Sequence, residues 1–198
     1  NVSGLDELWI GIDEVAIYDY AKTEEEIWQD YIGNFRNEEG TIEFWIKPKW
    51  NGNDGKAHNF LQVGDPGING FILRKYSNGN INLESYNSDD CTAATSSLYC
   101  DNDYNVSDWN KNEWHHVGIS WDENGDYLYI DGTLVNQTSH NLFDNITTKY
   151  LTVGGRNSFF TSEACNCTID DFTISNYAKS AEEIMPKGFT NPEGENIT

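Results

Sequence analysis

Asp101, Asp103 and Asn105 stand two residues apart in "DNDYN", a spacing that turns three oxygens to one side of a loop and could hold calcium. Val106 replaces the glycine that such a loop needs for its sharp turn, and the twelfth position carries Asn112 in place of glutamate. The acids therefore read first as a solvated loop, with calcium the cofactor expected if they act together. Retaining hydrolysis of a glycosidic bond would need two carboxyl groups about 5–5.5 Å apart. No strand-forming stretch carries such a pair; Glu7 with Asp13 and Glu14 comes nearest, and its spacing is wrong. His115-His116 lies at a strand entry and Ser139-His140 in a loop, so no nucleophile stands beside a base with a third group behind it. The expectation is a chain that is not an enzyme.

Four cysteines form two tight groups, Cys91 with Cys100 and Cys165 with Cys167. Neither has the C-x-x-C spacing of a zinc site, so disulfides and an extracellular, oxidising location are expected. Four cysteines allow three pairings. Residues two apart on an extended strand sit near the upper limit of bridgeable separation, which favours a bridge from the 91–100 loop to Cys165 or Cys167. Asn-x-Ser/Thr sequons at Asn1, Asn105, Asn136, Asn145, Asn166 and Asn196 are candidate glycosylation sites and point the same way, although an Asn-rich chain makes some by chance.

The formal net charge of −21 sets twelve Lys and Arg against thirty-three Asp and Glu, so phosphate backbones are repelled and nucleic acid is excluded as a partner. No run of eighteen apolar residues offers a membrane span. The start, "NVSGLDELWI", has neither a basic nor an apolar leader region, so a secretory signal is expected to be absent or already removed.

Seven Trp, eleven Tyr and nine Phe supply a core, and the rhythm of short alternating strands is that of a β-sandwich. "TIEFWIKPKW" places Ile42, Phe44 and Ile46 on one face and Glu43, Trp45 and Lys47 on the other, and Pro48 closes it. "HNFLQVGD" and "GFILRKYSNGNINLESY" follow, the second broken by Asn78-Gly79 as a tight hairpin. The polar stretch from 87 to 112 reads as a long loop stapled through Cys91 and Cys100. Asn124-Gly125 and Asp131-Gly132 then punctuate a meander, "YLTVGG" and "TIDDFTISNYA" add two strands, and Ser180 with Glu183 has the spacing of a capping box.

"GTIEFWIKPKW", "EWHHVGISWD", "LYIDGTLV", "LTVGG" and "IDDFTISNYAKSAEEI" together resemble, in order, the strands of laminin-G-like members of the concanavalin A-like jelly-roll superfamily. The resemblance covers roughly residues 40 to 185. It implies an all-β concanavalin A-like jelly-roll sandwich of two antiparallel sheets with short capping helices. Carbohydrate binding is a common role of that superfamily, and Trp45, Trp50, Tyr86 and Trp109 are the candidates to stack on sugar rings, against the commoner reading of half-buried packing. Calcium often stabilises the superfamily, and Asp170 resembles its acid near a structural metal.

One feature is internal. Residues 12–27, "IDEVAIYDYAKTEEEI", match residues 169–184, "IDDFTISNYAKSAEEI", at nine of sixteen positions with a constant offset of 157. The chain is thus expected to divide into an N-terminal arm (1–33), a jelly roll (34–188) and a polar tail (189–198). The arm admits three readings: the end of a preceding unit in a tandem array, a replacement for the domain's own first strand, or a strand donated to the next subunit. Leu8, Ile10, Ile12, Val15 and Ile17 are its apolar residues, each worth roughly 1.5–3 kcal/mol when buried. The function expected is that of a secreted, adhesive or structural cell-surface protein that assembles with copies of itself through this strand. The alternative is a carbohydrate-binding module of a larger secreted protein, with surface glycans as partners.

Overall fold

A computed structural model describes residues 38–65, 69–85, 101–139, 151–155, 164–185 and 190–195. The N-terminal arm, with Leu8, Ile10, Ile12, Val15 and Ile17, lies outside them, as do Tyr86, Cys91, Cys100 and the sequons at Asn1, Asn145 and Asn196.

Ten strands are described: β1 (Gly40–Pro48), β2 (His58–Asp65), β3 (Asn69–Lys75), β4 (Asn80–Ser85), β5 (Asp101–Asn105), β6 (His115–Asp122), β7 (Gly125–Ile130), β8 (Thr133–Thr138), β9 (Leu151–Val153) and β10 (Cys167–Ser175). A single helical turn, α1 (Ala181–Ile184), follows. The strands form two five-stranded sheets in the orders β10-β1-β6-β7-β8 and β5-β4-β3-β2-β9, and every ladder is antiparallel. This is the β-sandwich expected from the alternating pattern, in the two-sheet jelly-roll arrangement that the resemblance implies.

The alternation decides which faces meet. Ile42, Phe44, Ile46, Val117, Ile119, Trp121 and Leu128 of one sheet pack against Leu61, Phe71, Leu73, Ile81 and Leu83 of the other, all buried in one core. A bulge in β2, between the pairs Asn59/Arg74 and Leu61/Leu73, adds Phe60 to the same core. Asp131 and Gly132, at φ 49° and 72°, make the two-residue loop between β7 and β8, where both residues need left-handed backbone. At the β3–β4 hairpin only Gly79 is left-handed (φ 87°), so the expected Asn-Gly turn uses its glycine and not its asparagine.

A second layer covers the outer face of the β1–β6 region. After β10 the chain crosses back over it: Thr41 Oγ1 donates to the carbonyl of Tyr177 (2.8 Å) and accepts from the amide of Lys179 (2.9 Å). Lys179 Nζ binds the Glu43 carboxylate, and Thr173 Oγ1 donates to Glu43 Oε1 at 3.2 Å. Ile184 ends the crossing against Gly118, where a β-carbon would stand 3.1 Å from the isoleucine. The amide of Ser180 donates to Glu183 Oε2 at 3.0 Å, the reciprocal half of the expected capping box.

The polar C-terminal tail is held in part, because Lys47 on β1 binds Glu193 at 2.5 Å and Asn191 is buried within its own turn. Two expectations are corrected here. Residues 101–105 form edge strand β5 and not a loop; its hydrogen-bonding groups are taken up by β4. Cys165 and Cys167 are bonded to each other and not to the 91–100 loop. Asn166 between them adopts φ 46°, a left-handed conformation asparagine tolerates, and so draws the two α-carbons to 5.2 Å, inside the bridgeable range.

Candidate functional site

The three tryptophans named as candidates to stack on sugars are buried, as the packing reading has it. Trp45 is fully buried, edge-on to His116 at 5.1 Å. Its strand position does point away from the core, as the alternation requires, but onto the face that the returning chain overlies. Trp50 and Trp109 stack on one another (6.4 Å), and a histidine lies flat against each: His58 on Trp50 (4.5 Å) and His115 on Trp109 (3.9 Å). A carboxylate holds each histidine, with His58 Nε2 2.8 Å from Asp54 and His115 Nδ1 3.0 Å from Asp131.

Lys75, fully buried, joins this group. Its ammonium donates to Asp54 (2.5 Å) and to the carbonyl of Lys56 (3.2 Å), and lies 5.0 Å from the Trp50 ring. Burial pushes the Asp54 carboxyl up, but the hydrogen bonds from Lys75 and His58 outweigh it and hold the group at about 2. The indole of Trp50 donates to the carbonyl of Cys165 at 2.8 Å, tying the disulfide segment to the stack. Asp54, His58, Lys75 and the Trp50 indole are thus committed to one another or to backbone carbonyls, which ties the segments around Asp54, Lys75 and Cys165 together.

The outer face of the second sheet is different. Register places Ile72 beside Gln62 and Glu84, Arg74 beside Asn59 and Asn82, and Asn80 beside Asn105. Tyr76 continues the face, its amide donating to the carbonyl of Asn80 at 2.7 Å. Arg74 forks onto Glu84 through Nε (2.8 Å) and Nη2 (3.0 Å), and its guanidinium lies 4.1 Å from the centre of the Tyr76 ring. Burial, and then the hydrogen bond and charge of Glu84, push the Tyr76 phenol up, so it stays protonated at any physiological pH.

Exposure grades along this face. Gln62 and Glu84 are buried, Tyr76 and Asn80 are partly open, and Asn105 is exposed. Asn105 Nδ2 donates to Asn80 Oδ1 at 2.8 Å, which joins the two amides across the β4–β5 pair. Behind them Asn82, 6 % exposed, carries a carbonyl oxygen with no hydrogen-bond partner among the described residues. The Tyr76 ring and the amides of Asn80 and Asn105, at the accessible end of a sheet, suit a polyhydroxylated ligand. They offer no nucleophile and no acid–base pair.

The remaining sequence candidates are scattered. Asp103 and Asp101 sit on β5 opposite Asn82 and Glu84, and their side chains lie outside the description. Asp170 is exposed on β10, an edge strand of the other sheet, and accepts the amide of Asp171 at a bulge. Among the described residues no three His, Cys, Asp or Glu side chains gather to hold a metal. Of the sequons, Asn105 and Asn166 are exposed and Asn136 is half-buried on edge strand β8. Sequence reasoning passed over Arg74, Tyr76, Asn82 and Glu84. The signal was present in "FILRKYSNGNINLES", where polar residues recur at alternate positions on both arms of one hairpin.

Comparison with known proteins agrees with this architecture. The family pattern described as the concanavalin A-like lectin/glucanases superfamily, in its laminin G form, matches residues 29–185. No curated protein matches the chain. Among solved structures, the chain is similar to the Ruminococcus gnavus IT-sialidase CBM40 bound to α2,3-sialyllactose, with 16 % identity over 74 % of this chain and 80 % of that one and a TM-score of 0.57. It is also similar to botulinum neurotoxin type C, which depends on two ganglioside molecules to enter cells (18 % identity, 79 % and 36 % coverage, TM-score 0.58). A third neighbour is the binding domain of botulinum neurotoxin DC in complex with rat synaptotagmin II (17 %, 79 % and 36 %, TM-score 0.55). The chain spans about a third of the toxin chains it matches. Likeness at these identities speaks for the fold alone.

Proposed function

The chain belongs to the concanavalin A-like lectin/glucanases superfamily, and from that premise we propose that it is an extracellular, non-catalytic module that binds neutral glycans through Tyr76, Asn80 and Asn105. The observation that carries this reading is the partly open Tyr76 ring in a row with the hydrogen-bonded amides of Asn80 and Asn105. The sialidase module and the type C toxin, with their sialyllactose and gangliosides, support a carbohydrate ligand for this fold. The Cys165–Cys167 disulfide supports an oxidising compartment.

Charge argues against acidic sugars. Arg74, the one arginine among the described residues, already gives its fork to Glu84 and has no bidentate face left for a ligand carboxylate. The surrounding protein carries a net charge of −21, which lowers the local concentration of any anion. A glycan array probed with the unglycosylated chain tests the reading: neutral oligosaccharides should be retained and sialylated ones not. Retention of sialylated glycans alone would refute it.

A further inference from the structure

The contacts made by residues 169–184 show what this sequence is for. Its strand half pairs with β1, from Thr41 opposite Ser175 to Ile46 opposite Ile169. Its second half carries three devices: the backbone of Tyr177 and Lys179 clasped by Thr41, the ammonium of Lys179 on Glu43, and Ile184 seated on the bare backbone of Gly118. Each of the residues that carry these devices recurs in residues 12–27 at the same offset: Tyr20 for Tyr177, Lys22 for Lys179 and Ile27 for Ile184, with Ile12 and Ile17 for Ile169 and Ile174.

We infer that residues 12–27 are the closing strand and strap of a second jelly-roll unit, distinct from the one described. That unit would present a β1-like strand with the Thr-x-Glu pattern of Thr41 and Glu43, beside a strand with a glycine in the place of Gly118. This unit cannot be the acceptor, since Thr41, Glu43 and Gly118 are already taken by residues 177–184. A second copy of the chain fails for the same reason. The limits of the family match agree: it begins at residue 29, just past Ile27, and ends at 185, just past Ile184. The matched stretch is as long as the offset between the two copies. One unit's closing segment thus abuts the next unit's opening, and successive units follow with almost no linker. The inference is independent of any glycan ligand.

Two measurements on residues 1–198 by themselves test it. In the first, residues 169–184 are replaced by the sequence of 12–27. A true closing segment should restore a cooperative fold, with the melting temperature lowered by less than about 10 °C, while a scrambled segment of the same composition should give no transition. A second exchange that keeps Phe172 and Thr173 separates loss of the Phe172–Phe44 ring contact (5.9 Å) from failure of the strap. If both exchanges behave like the scrambled control, the inference is overturned. In the second measurement, hydrogen exchange across a concentration series should find residues 12–27 unprotected at every concentration while 169–174 are protected. Protection that grows with concentration would assign the segment to a second copy, and protection at all concentrations to this unit; either result overturns the inference.

Discussion

Arg74 on β3 and Glu84 on β4 meet across the hairpin through two parallel hydrogen bonds, 2.8 and 3.0 Å long, with the glutamate side chain fully buried. Removing one partner leaves an uncompensated buried charge, a loss of about 3–5 kcal/mol for pairs of this kind. Glu84→Ala should show that loss in urea denaturation, as a lower midpoint at unchanged slope. Replacing both residues together with apolar ones should cost much less. A loss under about 1 kcal/mol for the single variant would mean that the pair is solvated.

Asp54 gives the fold an acid limit. Its carboxyl is held at about 2, below the usual 3.8, so its contribution is present above pH 4 and is lost as the pH falls through 2. Asp54→Asn should flatten the dependence of stability on pH across that window. It should also destabilise the chain at neutral pH, because Lys75 is then buried without its carboxylate. An unchanged acid profile would remove Asp54 from the account.

The strap depends on Ile184 and Gly118. Ile184→Ala should cost about 2–4 kcal/mol, as large-to-small changes at buried sites do. Gly118→Val forces branched methyls where a single β-carbon already stands 3.1 Å from Ile184, and should loosen the same contact from the other side. Hydrogen exchange over residues 177–185 should rise in both variants. Exchange unchanged in both would mean that the strap is held by Thr41 and Glu43 alone.

Non-reducing peptide mapping should recover Cys165 joined to Cys167, leaving Cys91 and Cys100 as partners for each other. A peptide linking the 91–100 segment to Cys165 or Cys167 would contradict the geometry around Asn166.

How far the sequence carries depends on the range of the interaction. β1, the β6–β8 meander and β10 were legible because residues two apart report the core face directly, as with Ile42, Phe44 and Ile46. Trp45 obeyed that rule, but its complete burial was not legible, since the segment returning over its sheet comes from more than a hundred residues away. β5 was hidden in a polar stretch because an edge strand needs only a partner's backbone. The Cys165–Cys167 bridge turned on a single left-handed residue that spacing does not encode. In the candidate site the aromatic rule pointed to Trp50 and Trp109, whose rings are spent on two histidines, while the hairpin alternation that marks Tyr76 and Asn80 was in plain view.

The most direct measurement of the binding account follows the side-chain amide signals of Asn80 and Asn105 by NMR as a neutral oligosaccharide is added to the unglycosylated chain. The account predicts saturable shifts at these two amides, weakened at least about tenfold by Tyr76→Ala, the equivalent of about 1.4 kcal/mol. Shifts confined to other residues, or an affinity unchanged by Tyr76→Ala, would contradict it.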